Sequence, residues 1–268
     1  MLQLLKLEWS KFRKSTVVTL LLSFFLLFFP CCLYMGRFLD NIPDFLPIDT
    51  DIFVFPSIWD YLGYAGNWMV FFFLGVLIIY TVTIEVSNKT MRQSIIYGMS
   101  RKTFLLSKVL NVVVLSVLAT TVYTILSFVF GWINTEEPTV SMMMSNEIAI
   151  GRFFLMSIGY LSFALMLAFI FRKAGVAVFL YLAYGLIIEV LLRVLAGQYL
   201  FKNKFLNYFP LNSMEDLMPF PLFRMADKLP TDINYPFLLE YSEATILTIV
   251  YTSVFLAVTW FLFQRKDI

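Results

Sequence analysis

Side chains able to do chemistry are few in this sequence, and they fall at a handful of places. Glu189 and Arg193 stand four residues apart in an otherwise apolar stretch. An ionisable residue in such a stretch is a site for a substrate or one half of a charge pair. The i, i+4 spacing lets the two meet on one helix face, or lets Arg193 reach toward a membrane surface. An intramembrane charged pair is the reading adopted. Asp49-Thr-Asp51 has two acids at calcium-ligand spacing but lacks the glycine and closing glutamate of a calcium loop, so it reads as solvated surface. Glu136 and Glu137 lie in a loop before Pro138 and are set aside as a catalytic pair. Cys31 and Cys32 are adjacent, point in different directions on a helix and cannot easily bridge. With no histidine in the chain, His-based zinc sites, Ser-His-Asp triads and Cys-His dyads are excluded together. No G-x-x-x-x-G-K-[ST] phosphate loop occurs either. No catalytic constellation, metal site or cofactor is therefore expected in this chain.

The stretch that stands out is Glu85–Lys108, EVSNKTMRQSIIYGMSRKTFLLSK, the longest polar and strongly basic interruption on its side of the chain. Thr90–Tyr97 has the pattern of a short helix. Met91 and Ile95 lie four apart and Ile96 widens an apolar edge, while Arg92 and Gln93 point elsewhere. Gly98 falls where a left-handed residue can end that helix, and Ser100 where a side chain can cap the next. A short helix, a glycine break, a capping serine and a new long helix make a rigid elbow.

The elements that hold this elbow are apolar. Of 268 residues, 60% are hydrophobic and 14% charged, far below the quarter that soluble domains carry, and the mean hydropathy is +0.81. One all-α polytopic membrane domain over residues 1–268 is expected. Residues 1–14 read as an amphipathic interfacial helix, with Leu2, Leu5, Trp9 and Phe12 on one stripe and Lys6, Ser10, Arg13 and Lys14 on the other side. Six spans follow, at Ser15–Met35, Trp68–Ile84, Phe104–Gly131, Phe153–Phe171, Ala174–Ala196 and Ala244–Phe263. The second is short and can borrow from Tyr61–Asn67; the third is long enough to tilt or project. The elbow occupies 85–103, and the outer loop 197–243 is long enough to hold re-entrant helices. Thirteen of the 20 basic residues, but only Glu8, Glu85 and Asp267 of the acids, fall on the elbow side. The positive-inside rule then makes the elbow and both termini cytoplasmic, with Asp49 and Asp227 outside. The net charge of +2 gives no reason to expect nucleic acid.

The elbow resembles that of the ABC type-2 permeases, the membrane subunits of type V-like ABC exporters. The likeness rests on a glutamate ending a span, a Thr-x-Arg pair, a glycine, Ser-Arg and a lysine opening the next span. Glu85, Thr90, Arg92, Gly98, Ser100, Arg101 and Lys108 supply these here. In residues it covers only about 85–108; in layout it covers the chain. It implies a permease subunit in the cytoplasmic (inner) membrane that pairs with a second permease, as homo- or heterodimer. Separate ATPase subunits would dock on a coupling helix formed by Glu85, Thr90, Met91, Arg92, Ile95, Ile96, Gly98, Ser100 and Arg101. The alternative is a six-span scaffold or sensor, without transport, whose elbow binds a regulatory partner.

Overall fold

Apolar runs that cannot satisfy their backbone from water become helices, and among the described residues the chain holds no strand. The computed structural model describes residues 2–36, 52–199, 207–221 and 238–265. In order, the helices are α1 (Leu2–Phe12), α2 (Thr16–Gly36), α3 (Ser57–Met69), α4 (Val76–Ser87), α5 (Thr90–Ile96) and α6 (Arg101–Asn134). Then come α7 (Val140–Met144), α8 (Ile148–Phe171), α9 (Ala174–Ala183), α10 (Glu189–Tyr199), α11 (Pro210–Glu215) and α12 (Tyr241–Arg265). Two π-helical stretches, Val70–Gly75 and Tyr184–Ile188, join α3 to α4 and α9 to α10.

Five helices are long and apolar enough to cross a membrane: Ser57–Ser87, Arg101–Asn134, Val140–Phe171, Ala174–Arg193 and Tyr241–Arg265. A sixth exists if Lys6–Phe12 and Thr16–Cys32, bent by 98° at the intervening turn, count as one. The sharp bend fits a first helix lying across the second. The span expected at Trp68–Ile84 is longer, taking in α3 from Ser57, because the π stretch lets one apolar helix continue through Tyr61–Asn67. The span expected from Phe153 starts earlier: α8 begins at Ile148, and together with α7 the apolar stretch runs back to Val140. With 34 residues, α6 runs for roughly 50 Å, well beyond the ~30 Å of a hydrocarbon core. Asp49 lies outside the described residues, as do Asp227 and most of the expected outer-loop helices. The described part of that loop contains α11, packed on α8 and α12.

The core is centred on α8, which touches α4, α6, α9 and α12. Within the Val140–Phe171 span 72% of the apolar window is buried, against 17% for Ala174–Arg193, which therefore lies at the periphery. Aromatic rings do much of the filling. Tyr123 stacks on Phe153 with centroids 4.3 Å apart, and its hydroxyl donates to the Trp59 carbonyl at 2.8 Å. The two π stretches interlock: Gly75 sits under the Tyr181 ring and Gly185 under Phe71, while Phe71 and Tyr181 stack at 4.6 Å. Only a residue without a Cβ allows that approach from both sides, for a methyl at Gly185 would stand 2.5 Å from Phe71 Cζ.

Gly185→Val is expected to cost about 1–3 kcal/mol through overpacking. Gly151→Val, where nothing lies within 4 Å of the added carbon, should stay within roughly 0.5 kcal/mol. Thermal midpoints of the detergent-solubilised variants check this; equal shifts would show that the interlock is loose.

Candidate functional site

Between α4 and α6 the chain turns through the elbow. Thr90 Oγ1 donates to the Glu85 carbonyl at 3.2 Å, tying the start of α5 to the end of α4. Lys89 immediately before α5 has φ 58°, an uncommon left-handed geometry for a residue with a Cβ. Gly98, at φ 101°, closes the helix in a conformation that suits glycine alone, as its position suggests. Ser100 caps α6, its Oγ accepting from Thr103 N–H at 3.1 Å. Arg101 donates to the Gln264 carbonyl at 2.8 Å, joining the elbow to the end of α12.

The apolar edge differs from the expected Met91–Ile95–Ile96 face. Met91 is buried against the domain's own core and Ile95 half-buried, because α5 lies back on α4. What remains open is Ile96, 71% exposed, and Tyr97, 89% exposed, with Arg92 and Gln93 exposed beside them. Glu85 is likewise buried and offers no docking surface of its own.

Glu85 instead belongs to a buried charged cluster at the elbow's root. Lys108 Nζ lies 2.7 Å from Glu8 Oε2 and 2.7 Å from Glu85 Oε1, with its side chain 1% exposed. Lys11, one turn beyond Glu8 on α1, reaches Glu85 at 3.2 Å and Glu8 at 3.4 Å. Asn111 Nδ2 donates to Glu8 Oε2 at 2.7 Å and Ser107 Oγ to Glu8 Oε1 at 3.2 Å. The rings of Phe12 and Phe104 lie 5.4 Å and 5.2 Å from the Lys108 ammonium. Two carboxylates face two ammonium groups, so the cluster is neutral; Lys108, Glu8 and Glu85 are buried, and Lys11 closes it on the surface side. Glu85 Oε2 is the one oxygen of the four that makes no hydrogen bond among the described residues. Burial pushes the Glu8 carboxyl up. The Lys108 charge and hydrogen bond, with Lys11 and Asn111, more than offset it, leaving the group below its ordinary range.

Sequence reasoning singled out Glu85 and Lys108 but not Glu8, Lys11 or Asn111. The available signal was that Glu8 is the only acid among the first 39 residues, and that Ser107, Lys108 and Asn111 are polar neighbours on one face of an apolar helix.

At the opposite end the expected Glu189–Arg193 pair is not formed as a contact. Glu189 Oε1 and Oε2 accept from the backbone N–H groups of Asn212 at 2.6 Å and Leu211 at 3.1 Å, at the start of α11. Arg193 donates instead to Asn207 Oδ1 at 3.2 Å. The reason is local: the first N–H groups of a helix have no intrahelical acceptor and hold a carboxylate with two bonds. A partner 22 and 23 residues away was invisible to i, i+4 reasoning. Asp216 accepts from Asn212 Nδ2 at 2.9 Å and from Leu239 N–H at 3.0 Å, so α11 is pinned at both ends. Arg152 lies 3.6 Å above the Tyr241 ring and 3.7 Å from Asp60. Among the described residues no three acids or thiols gather to hold a metal ion.

All-helical among the described residues, with five or six helices long and apolar enough to span, the chain has the build of a multi-pass, membrane-embedded protein. It belongs to the family described as protein of unknown function (DUF2705), whose profile matches residues 51–268. No curated protein matches the chain. The elbow, Lys108 and α11 lie inside the matched region, whereas Glu8 and Lys11 lie before it.

Lys108→Met should destabilise by roughly 3–5 kcal/mol, since it leaves two buried carboxylates without their shared cation. Adding Glu8→Gln and Glu85→Gln to it should restore much of the loss, and Lys11→Met alone should cost less because Lys11 is 25% exposed. The Glu8 contribution has the sign of a depressed carboxyl. It is complete above the ordinary glutamate range and disappears as pH falls through the lower folded-state value. Thermal midpoints of wild type and Glu8→Gln measured from neutral to acid pH should converge at the acid end. Parallel curves would show that Glu8 does not titrate with folding.

Proposed function

We propose that the chain is a permease subunit of an ABC exporter of the type-2 class. In this reading two copies, or this chain and a related one, form the pathway, and separate ATPase subunits binding ATP and Mg dock at the elbow. The observation that carries it is a seven-residue helix between two spans, presenting Ile96 and Tyr97 outward from a root that cannot easily give. Exposed large apolar side chains at the tip of a polar elbow favour burial by a partner, each worth roughly 1.5–3 kcal/mol when fully covered. The root supports the mechanical part. A push on α5 bears on α4 through Thr90 and Glu85, on α6 through Lys108 and on α1 through Glu8 and Lys11. Closure of ATP-loaded subunits would thus move three helices together and switch the pathway's access. The excess of basic residues on the elbow side supports a cytoplasmic elbow with both termini on the same side and α1 lying flat at the interface.

The first test is whether a Walker-motif ATPase co-purifies with the tagged chain in mild detergent. Ile96→Asp and Tyr97→Asp should each cut that association and the associated ATPase activity several-fold at unchanged thermal stability. Arg92→Ala should do less, because an exposed ion pair is worth under about 1 kcal/mol. Full association in both aspartate variants would favour the scaffold or sensor reading. In a background lacking Cys31 and Cys32, a cysteine at Lys89 should label only from the cytoplasm, and labelling from outside would overturn the orientation.

A further inference from the structure

We propose that the cavity beneath α11 binds an ammonium group, with Glu215 and Asn67 as its acceptors. Two chambers share Glu215 as a wall. The larger, ≈220 Å³, is bounded by Arg193, Asp216, Phe220 and Leu238 as well. The smaller, ≈20 Å³, is lined by Asn67, Trp68, Phe71 and Tyr160. That volume holds one water-sized group.

The polar groups around it are unequally used. Glu189 is satisfied by two backbone N–H groups and Asp216 by Asn212 and Leu239. Arg193 is bonded to Asn207. Glu215, by contrast, feels the Arg193 charge but receives no hydrogen bond among the described residues, and Asn67, 1% exposed, bonds the Tyr160 hydroxyl through its side chain yet keeps its Oδ1 without a partner. A buried amide oxygen left unmatched is costly unless something fills it. Glu215 and Asn67 line the same small chamber, with the Tyr160 hydroxyl and the faces of Trp68 and Phe71 beside them. A carboxylate, a lone carbonyl oxygen and aromatic faces make the smaller chamber rich in acceptors, while Arg193, whose charge reaches Glu215, stands on the wall of the larger one. An anion meets the Glu215 charge, and a guanidinium is too large for the smaller chamber. An ammonium brings three donors and a compact charge, which Glu215 and Asn67 can accept and the rings can stabilise. The larger chamber leaves room for whatever carries the amine, a small alkylamine or the stem of a lysine side chain. The site stands whether or not an ATPase docks at the elbow.

The test uses the full chain in mild detergent, titrated with n-butylammonium chloride and read by thermal midpoint and tryptophan fluorescence. Tetramethylammonium chloride, which has the charge but no N–H donor, and 1-butanol, which lacks the charge, serve as comparisons. Nα-acetyl-lysine amide tests the peptide source. A saturable response to n-butylammonium, absent with both comparison compounds, is expected. Glu215→Gln should weaken it about tenfold or more, as loss of a charged hydrogen bond does. Asn67→Leu should raise the thermal midpoint without ligand, by removing an unmatched oxygen, and yet weaken binding several-fold. That opposition is not expected of a residue with a purely structural role. A response to the lysine amide as well extends the ligand to peptides; its absence restricts the ligand to small amines, and both support the site. An equal response to tetramethylammonium, no saturable response, or unchanged affinity in Glu215→Gln would overturn the proposal. Should Glu215→Gln fail to fold, unchanged affinity in Asn67→Leu overturns it alone.

Discussion

Lys108 is the tie on which the elbow end of the molecule depends. Its ammonium is shut away from water and is tolerable there only because Glu8 and Glu85 both lie 2.7 Å from it. A buried ion pair is seldom a large net source of stability, since desolvation consumes most of the Coulomb gain. Its value is in specification. The pair of carboxylates comes from α1 and α4 while the lysine comes from α6, so no arrangement of these helices that separates them leaves the charges satisfied. Apolar packing alone would allow slippage, for leucine and phenylalanine surfaces accept many neighbours. The cluster removes that freedom where α1, α4 and α6 meet.

The opposite end solves a related problem by other means. The short helix α11 is too brief to be stable alone and is held by Glu189 at its start and Asp216 near its end, each bonded to backbone N–H groups. Between the two ends, interlocking glycines and rings at the π stretches join Val70–Gly75 to Tyr184–Ile188. The bundle is thus bound by charge at one end, by carboxylate-to-backbone bonds at the other and by ring packing between.

Much of this was legible in the residues. Long apolar runs made the helices inevitable, and the elbow's helix, its Gly98 break and its Ser100 cap follow from short-range rules that act within four residues. Boundaries failed where a π stretch extended an apolar helix past the expected start at Trp68. Site geometry failed where partners are distant in the chain. Glu189 was matched with Arg193 because they are neighbours on a helix, whereas its actual donors are the amides of Leu211 and Asn212. Met91 was read as part of an open edge because periodicity tells which residues share a face, not what that face meets. The Glu8–Lys108 contact bridges 100 positions and leaves no local periodic trace.

That separation has a consequence for how the protein is made. Glu8 emerges from the ribosome first, Glu85 follows at the end of the α3–α4 helix, and Lys108 arrives only with α6. Until then Glu8 has Lys11, on its own helix, to lean on, and Glu85 can borrow the same ammonium. Between the synthesis of Glu85 and that of Lys108 the nascent chain therefore carries two acids and one shared cation. Synthesis of α6 completes the set and locks its predecessors in register. Translation order is thereby written into the placement of a single lysine.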